Sequence, residues 1–163
     1  MPYNMVFQHK TGFASELLPR RTCSYSITNE RDVIMKETNI KIKRTWDIER
    51  LTALRMEALE HAGISSENTI KFTRMTNQYY KRYLADGSLI SCIATDDDGN
   101  ILGCGDLRIH DSLPTAATDR GKSAFITNIY VRPGYNTPAS AESIFQWLST
   151  EAMSHGADKV SAV

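Results

Sequence analysis

The stretch from Ser123 to His155 constrains the fold more than any other part of the chain. Phe125, Ile126, Ile129, Tyr130 and Val131 crowd β-forming side chains into a short apolar run, which suits a strand buried on both faces. Arg132-Pro133-Gly134 ends it, because proline cannot donate to a ladder and glycine opens the turn. After Tyr135 come the small residues Asn136-Thr137-Pro138-Ala139-Ser140-Ala141, then helical spacing through Ile144, Phe145, Trp147, Leu148 and Met153. A strand, a tight loop and a helix N-terminus make a natural cradle for phosphates, since the first helical turn points unpaired N–H groups outward at the positive end of its dipole.

The 163 residues, 41% hydrophobic and 23% charged, suffice for one domain with a real core. Nineteen acidic and nineteen basic residues cancel, so no global field argues for nucleic acid or an anionic membrane as partner. No apolar run approaches the roughly 20 residues of a membrane span, and the N-terminus lacks the apolar core of a signal peptide. Cys23, Cys92 and Cys104 show neither metal-ligand spacing nor an even count, so the expected location is the cytoplasm.

Asn39 to Trp46 alternates polar and apolar residues and predicts a strand with one buried face. Asp47 caps a helix carrying Ile48, Leu51, Leu54, Arg55, Leu59 and Ala62, which Gly63 ends. A second helix is expected from Ser65 to about Leu84, with Ile70, Phe72, Met75, Tyr79 and Tyr83 as inner positions. Ser88 to Ala94 and Ile101 to Ile109 form a hairpin around Asp96-Asp97-Asp98-Gly99-Asn100, a solvated turn that lacks the trailing glutamate of a calcium loop. Cys92 and Cys104 then lie roughly opposite one another as packed thiols. Gly103 and Gly105 leave room for close backbone approach or a bulge. Asp158 to Val163 reads as a last strand.

This order, with Ile129-Tyr130-Val131-Arg132-Pro133-Gly134-Tyr135 and the Trp-containing helix, resembles the GNAT superfamily of acyl-CoA-dependent N-acetyltransferases over residues 38 to 163. The fold implied is α/β (α+β): a mixed, mostly antiparallel twisted sheet flanked by helices. In that family the strand runs into a Gln/Arg-x-x-Gly-x-Gly/Ala loop whose amides hold the coenzyme A pyrophosphate. Those positions fall on Asn136 to Ala141, and only Ala141 matches the pattern. Asn136 replaces Gln/Arg, Ala139 the first glycine, and Pro138 removes a donor, while Thr137, Ala139, Ser140 and Ala141 keep backbone donors. The strand expected from Asp158 runs parallel to its predecessor and splays from it, opening a wedge for pantetheine.

The family's closing helix and last two strands are missing after residue 163. Residues 1 to 37 read as an arm with a hairpin, Thr22 to Thr28 pairing with Val33 to Met35, which either packs on its own domain or, since Phe7-Gln8-His9-Lys10-Thr11-Gly12-Phe13 resembles the family's closing segment, is that tail displaced. Such an arm completes a neighbouring molecule more easily than its own sheet, so a homodimer or swapped assembly is expected.

The resemblance implies transfer of an acetyl group from acetyl-CoA to a primary amine of a small molecule or peptide, by direct attack in a ternary complex, with no metal. Backbone N–H groups near Asn128 to Tyr130, exposed at a bulge, would hold the thioester oxygen. Val131 would pair with pantetheine, so Ile129, Tyr130 and Val131 join Asn136, Thr137, Ala139, Ser140 and Ala141 as cofactor-binding residues. The family's acid position falls on Gln8, which cannot protonate a thiolate; Tyr3 or Tyr130 stands as a substitute. Asp106 and Asn128 are the candidate amine-side groups. The linker Gly63 to Asn68, with Tyr79 or Tyr80, would border the acceptor. His110 and His155 sit near element ends, and His9 and His61 form no metal pattern. The other readings are a weakly active or inactive GNAT-like interaction or regulatory module, favoured by the eroded loop, and a domain without a ligand.

Overall fold

Five strands lie side by side in chain order, the central β2 and β3 buried on both faces over most of their length: β1 (Lys41–Thr45), β2 (Leu89–Thr95), β3 (Ile101–Asp111), β4 (Lys122–Val131) and β5 (Lys159–Ala162). The computed structural model describes residues 39–64, 69–116 and 119–162. The readings placed on the arm, including the hairpin, the swap, Tyr3, Gln8, His9 and Cys23, therefore lie outside the described residues, as do positions 65–68. Neighbouring strands are antiparallel except β4 and β5, which run parallel from Ser123 against Lys159 to Ile126 against Ala162. The sheet is thus mixed and mostly antiparallel, as expected.

Three helices cover it among the described residues: α1 (Ile48–His61), α2 (Thr69–Ala85) and α3 (Pro138–Ser154). Asp47 caps α1 by accepting from the Arg50 N–H at 3.0 Å, and Gly63, at φ +71°, turns the chain out of it. On one face, Ile144, Leu148 and Ala152 of α3 pack with Ile90, Cys92, Leu107, Ala124 and Ile126. On the other, Leu51 and Leu54 of α1 and Tyr80 and Leu84 of α2 pack with Leu89, Ile93, Cys104 and Tyr130. No helix among the described residues is long and apolar enough to cross a membrane.

Four expectations need correction. First, β4 is not buried on both faces: Phe125, against the edge of the His110 ring, is still 37% exposed, and Thr127 lies open at a cleft. Second, of the expected inner positions of α2 only Tyr83 packs against the core, and the helix turns a different stripe inward. Tyr80 and Leu84 are buried, whereas Ile70 is 88% exposed and Phe72, Met75 and Tyr79 remain open. The half-buried positions above Tyr80 are the polar Thr73, Thr76 and Asn77, so apolar periodicity pointed to the wrong face. Third, Cys92 and Cys104 are free, buried thiols on opposite faces of the sheet, since Cys92 pairs with Gly105 and Cys104 with Ile93. Fourth, Pro138 starts α3, with Thr137 as its N-cap, so four of the six loop positions form the first helical turn.

The glycine pair in β3 does mark close approach. A Cβ on Gly103 would land on the Tyr130 carbonyl oxygen, and one on Gly105 would meet Ile144 at 2.6 Å and Leu148 at 2.8 Å. Gly105→Ala should therefore lift α3 from the sheet and cost about 1–3 kcal/mol, as overpacking does. Urea denaturation followed by circular dichroism would show a lower midpoint; an unshifted midpoint would mean that α3 yields freely.

Candidate active site

β4 carries one residue more than its partner. Asp106 faces Asn128 while Leu107 faces Ile126, so Thr127 has no opposite number and forms a bulge. Side chains alternate along a strand, so one extra residue exchanges the faces beyond it. Before the bulge, Ala124 and Ile126 point to α3; after it, Ile129 and Val131 do, and Asn128 and Tyr130 turn toward α1 and α2.

The main chain beyond the bulge faces two edges. The Arg132 N–H donates to the Leu102 carbonyl at 2.8 Å, and in an antiparallel pair alternate residues bond the same neighbour. The main-chain groups of Asn128 and Tyr130 therefore face β3, and those of Ile129 and Val131 face the opposite edge. On that edge β5 pairs with β4 as far as Ile126, opposite Ala162, the last residue described. Of the amides expected near Asn128 to Tyr130, it is that of Ile129 that points to this edge.

Below the bulge lies a buried polar group. Asp106, 3% exposed, accepts from the Ser91 hydroxyl at 2.6 Å, the Tyr80 hydroxyl at 2.8 Å and the Asn128 amide at 3.0 Å. Asn128 in turn accepts from Arg55 at 3.1 Å. Burial pushes the Asp106 carboxyl above its ordinary range despite these donors, and burial beside Asp106 pushes the Tyr80 phenol up as well. Burial raises both thiols, Cys104 to about 12. Above this group opens a cleft of about 360 Å³ lined by Arg55, Phe72, Met75, Tyr79, Thr127 and Asn128, among others. The apolar stripe that α2 leaves out of the core is thus a wall of this cleft. Gly63 lies at a neighbouring cleft between α1 and α2, with Ile64, Thr69 and Phe72.

A second cleft, of about 390 Å³, runs along Ile129, Tyr130 and Val131 to Pro133, Asn136 and Ala141, with Ala58, His61 and Ala62 of α1 as its far wall. The Tyr130 hydroxyl donates to Glu57 Oε1 at 2.8 Å, and Arg132 grips the same carboxylate through Nε at 2.9 Å and Nη2 at 2.8 Å. The Arg132 hydrogen bonds hold Glu57 below the usual carboxylate range, while burial and the bond to Glu57 push Tyr130 up to about 12. With its proton committed to Glu57, Tyr130 is a poor acid for a thiolate of cysteine-like pKa, ~8.5.

The start of α3 offers fewer donors than its sequence implies. The Thr137 N–H bonds the Tyr135 carbonyl at 2.8 Å, the Ser140 N–H the Thr137 side chain at 3.2 Å, and the Ala141 N–H the Thr137 carbonyl at 3.4 Å. Asn136 and Ala139 keep amides without a partner among the described residues. Of the residues singled out from sequence, the structure brings Asp106 and Asn128 together, lines one cleft with Ile129, Tyr130, Val131, Asn136 and Ala141, and leaves the Thr137 and Ser140 amides occupied. Sequence reasoning missed Arg55, Glu57, His61 and Ser91 as site residues. The spacing of Arg55 and Glu57 around buried Leu54 on α1 was the available signal.

No protein-family model matches the chain, and neither does any curated protein. Solved structures do match. A predicted acetyltransferase with acetyl-CoA from Clostridium acetobutylicum superposes with a TM-score of 0.67 at 24% identity, over 77% of this chain and 80% of that one. The aminoglycoside N-acetyltransferase AAC(6')-Iy in complex with CoA gives 0.60 at 16% identity, over 80% of each chain. A GCN5-related N-acetyltransferase from Ralstonia eutropha gives 0.61 at 17%, over 77% and 83%.

Asp106 sets a pH dependence whose sign can be worked out. With its folded pKa raised, the native chain holds this proton where the unfolded one has lost it. The resulting stability is complete below the ordinary Asp value of ~3.9 and is lost as pH rises through the folded value. Asp106→Asn, which cannot ionise, should flatten that fall in urea midpoints measured from the carboxyl range upward; an unchanged profile would contradict a raised Asp106.

Proposed function

We propose, from the fold shared with GNAT-type acetyltransferases, that this chain moves an acetyl group from acetyl-CoA to a primary amine of a small molecule or peptide. The observation that carries this reading is the bulge at Thr127, beyond which Ile129, Tyr130 and Val131 line a cleft that runs to the start of α3, beside a second cleft over Asn128. Pantetheine lies along the edge of β4 away from β3 as an added strand, bonding Val131, and its thioester oxygen meets the Ile129 N–H beside the bulge. The pyrophosphate end reaches Asn136 and Ala139 at the start of α3.

The amine enters from the cleft over Asn128. Its nitrogen lone pair attacks the thioester carbon, the C–S bond breaks, coenzyme A leaves as a thiolate and the new amide nitrogen gives up a proton to solvent water. A thiolate of ordinary pKa is a good leaving group, so orientation supplies much of the rate. Asp106 and Asn128 serve as positioning residues: Asp106 has its oxygens engaged, and Asn128 holds Arg55 at the cleft. Among the described residues no exposed carboxylate lines this cleft, while Phe72, Met75 and Tyr79 do. An acceptor with an apolar body suits it better than a polycation.

The occupied amides of Thr137 and Ser140, with Pro138 between them, favour the second reading, an interaction or regulatory module without turnover. Calorimetric titration with acetyl-CoA separates the two. A micromolar Kd, about 8 kcal/mol, supports the transferase; no heat at millimolar ligand supports the module. Asn128→Ala should then leave acetyl-CoA affinity within about threefold but lower kcat/KM by at least tenfold.

A further inference from the structure

We propose that His61 of α1 is the cationic partner of the coenzyme A pyrophosphate, reaching it across the cleft and standing in for donors that the loop lacks. This rests on the acetyl-CoA reading above and adds a residue to it.

The need comes from the donor count at α3. Pro138 has no N–H, Thr137 and Ser140 have spent theirs, and Ala141 is turned into the helix, which leaves the Asn136 and Ala139 amides for a group with at least two negative charges. Neither of these supplies formal charge. Among the described residues that line the cleft, His61 is the side chain able to carry a positive one. Arg132, one residue past β4, is already clamped by both oxygens of Glu57.

The ring is held in one orientation. His61 Nδ1 lies 2.8 Å from the Glu57 carbonyl oxygen, which can only accept, so Nδ1 bears a proton and donates it. The Tyr130 hydroxyl, 3.1 Å from the same nitrogen, sends its own proton to Glu57 Oε1. Nε2 is therefore the nitrogen left for a ligand. When the ring is protonated, Nε2–H donates a charge-assisted bond to a phosphate oxygen. The neighbouring rings of His61 and Tyr130, 6.0 Å between centroids, restrict its swing.

The same contacts would serve a merely structural histidine, so charge must be varied apart from shape. Coenzyme A affinity is measured by calorimetry at two salt concentrations for the full chain and for His61→Ala, His61→Gln and His61→Lys, with thermal melts as a fold control. The expected result is roughly tenfold weaker binding for Ala and Gln, binding within about threefold of wild type for Lys, and a shallower salt dependence for Ala and Gln. Gln binding as tightly as wild type, Lys as weakly as Ala, or no change in any variant overturns the assignment of His61 alone. A wild-type chain that gives no heat with millimolar coenzyme A overturns this proposal together with the acetyl-CoA reading.

Discussion

The extra residue at Thr127 decides what the rest of the molecule can be. Without it, Asn128 and Tyr130 would continue on the face of Ala124 and Ile126 and lie under α3. With it they turn toward α1, where Asn128 completes the Asp106 group and Tyr130 reaches Glu57. The same register shift turns main-chain groups of Ile129 and Val131 to the edge away from β3. Both clefts, the polar floor of one and the peptide rail of the other, follow from a single unpaired residue.

Two polar clusters hold α1 to the second half of β4. In the inner one, the oxygens of Asp106 meet three donors, so a charge-capable group sits in the core with its bonding satisfied. Removing one of these donors leaves an unmet partner, a loss of about 1–3 kcal/mol where water cannot enter. In the outer one, the fork of Arg132 and the Tyr130 hydroxyl converge on Glu57. The wall that faces the rail is thereby fixed on both sides of Leu54.

How much of this was legible depended on how local its cause was. The cap at Asp47, the turn at Gly99 and the strand stop at Pro133 are written in neighbouring residues, and element order followed from them. The glycines of β3 also announced close approach, though not that Tyr130 and α3 would be the approaching parties. What periodicity could not supply was the choice between adjacent stripes. On α2, Phe72, Met75 and Tyr79 look like a core face, yet Tyr80 and Leu84 anchor the helix. The amides of Thr137, Ala139, Ser140 and Ala141 look equally available in the sequence, because the bonds that occupy Thr137 and Ser140 depend on how the chain folds back at Tyr135. His61 was visible as a residue but not as a neighbour of Tyr130, which is 69 positions away.

The division of labour on α2 has an evolutionary corollary. Of the two side chains that fasten this helix, Leu84 lies away from the cleft and only Tyr80 reaches it, so exchanging Phe72 or Met75 for other shapes removes little from the core. Which molecules fit there can drift over generations while the scaffold keeps its stability.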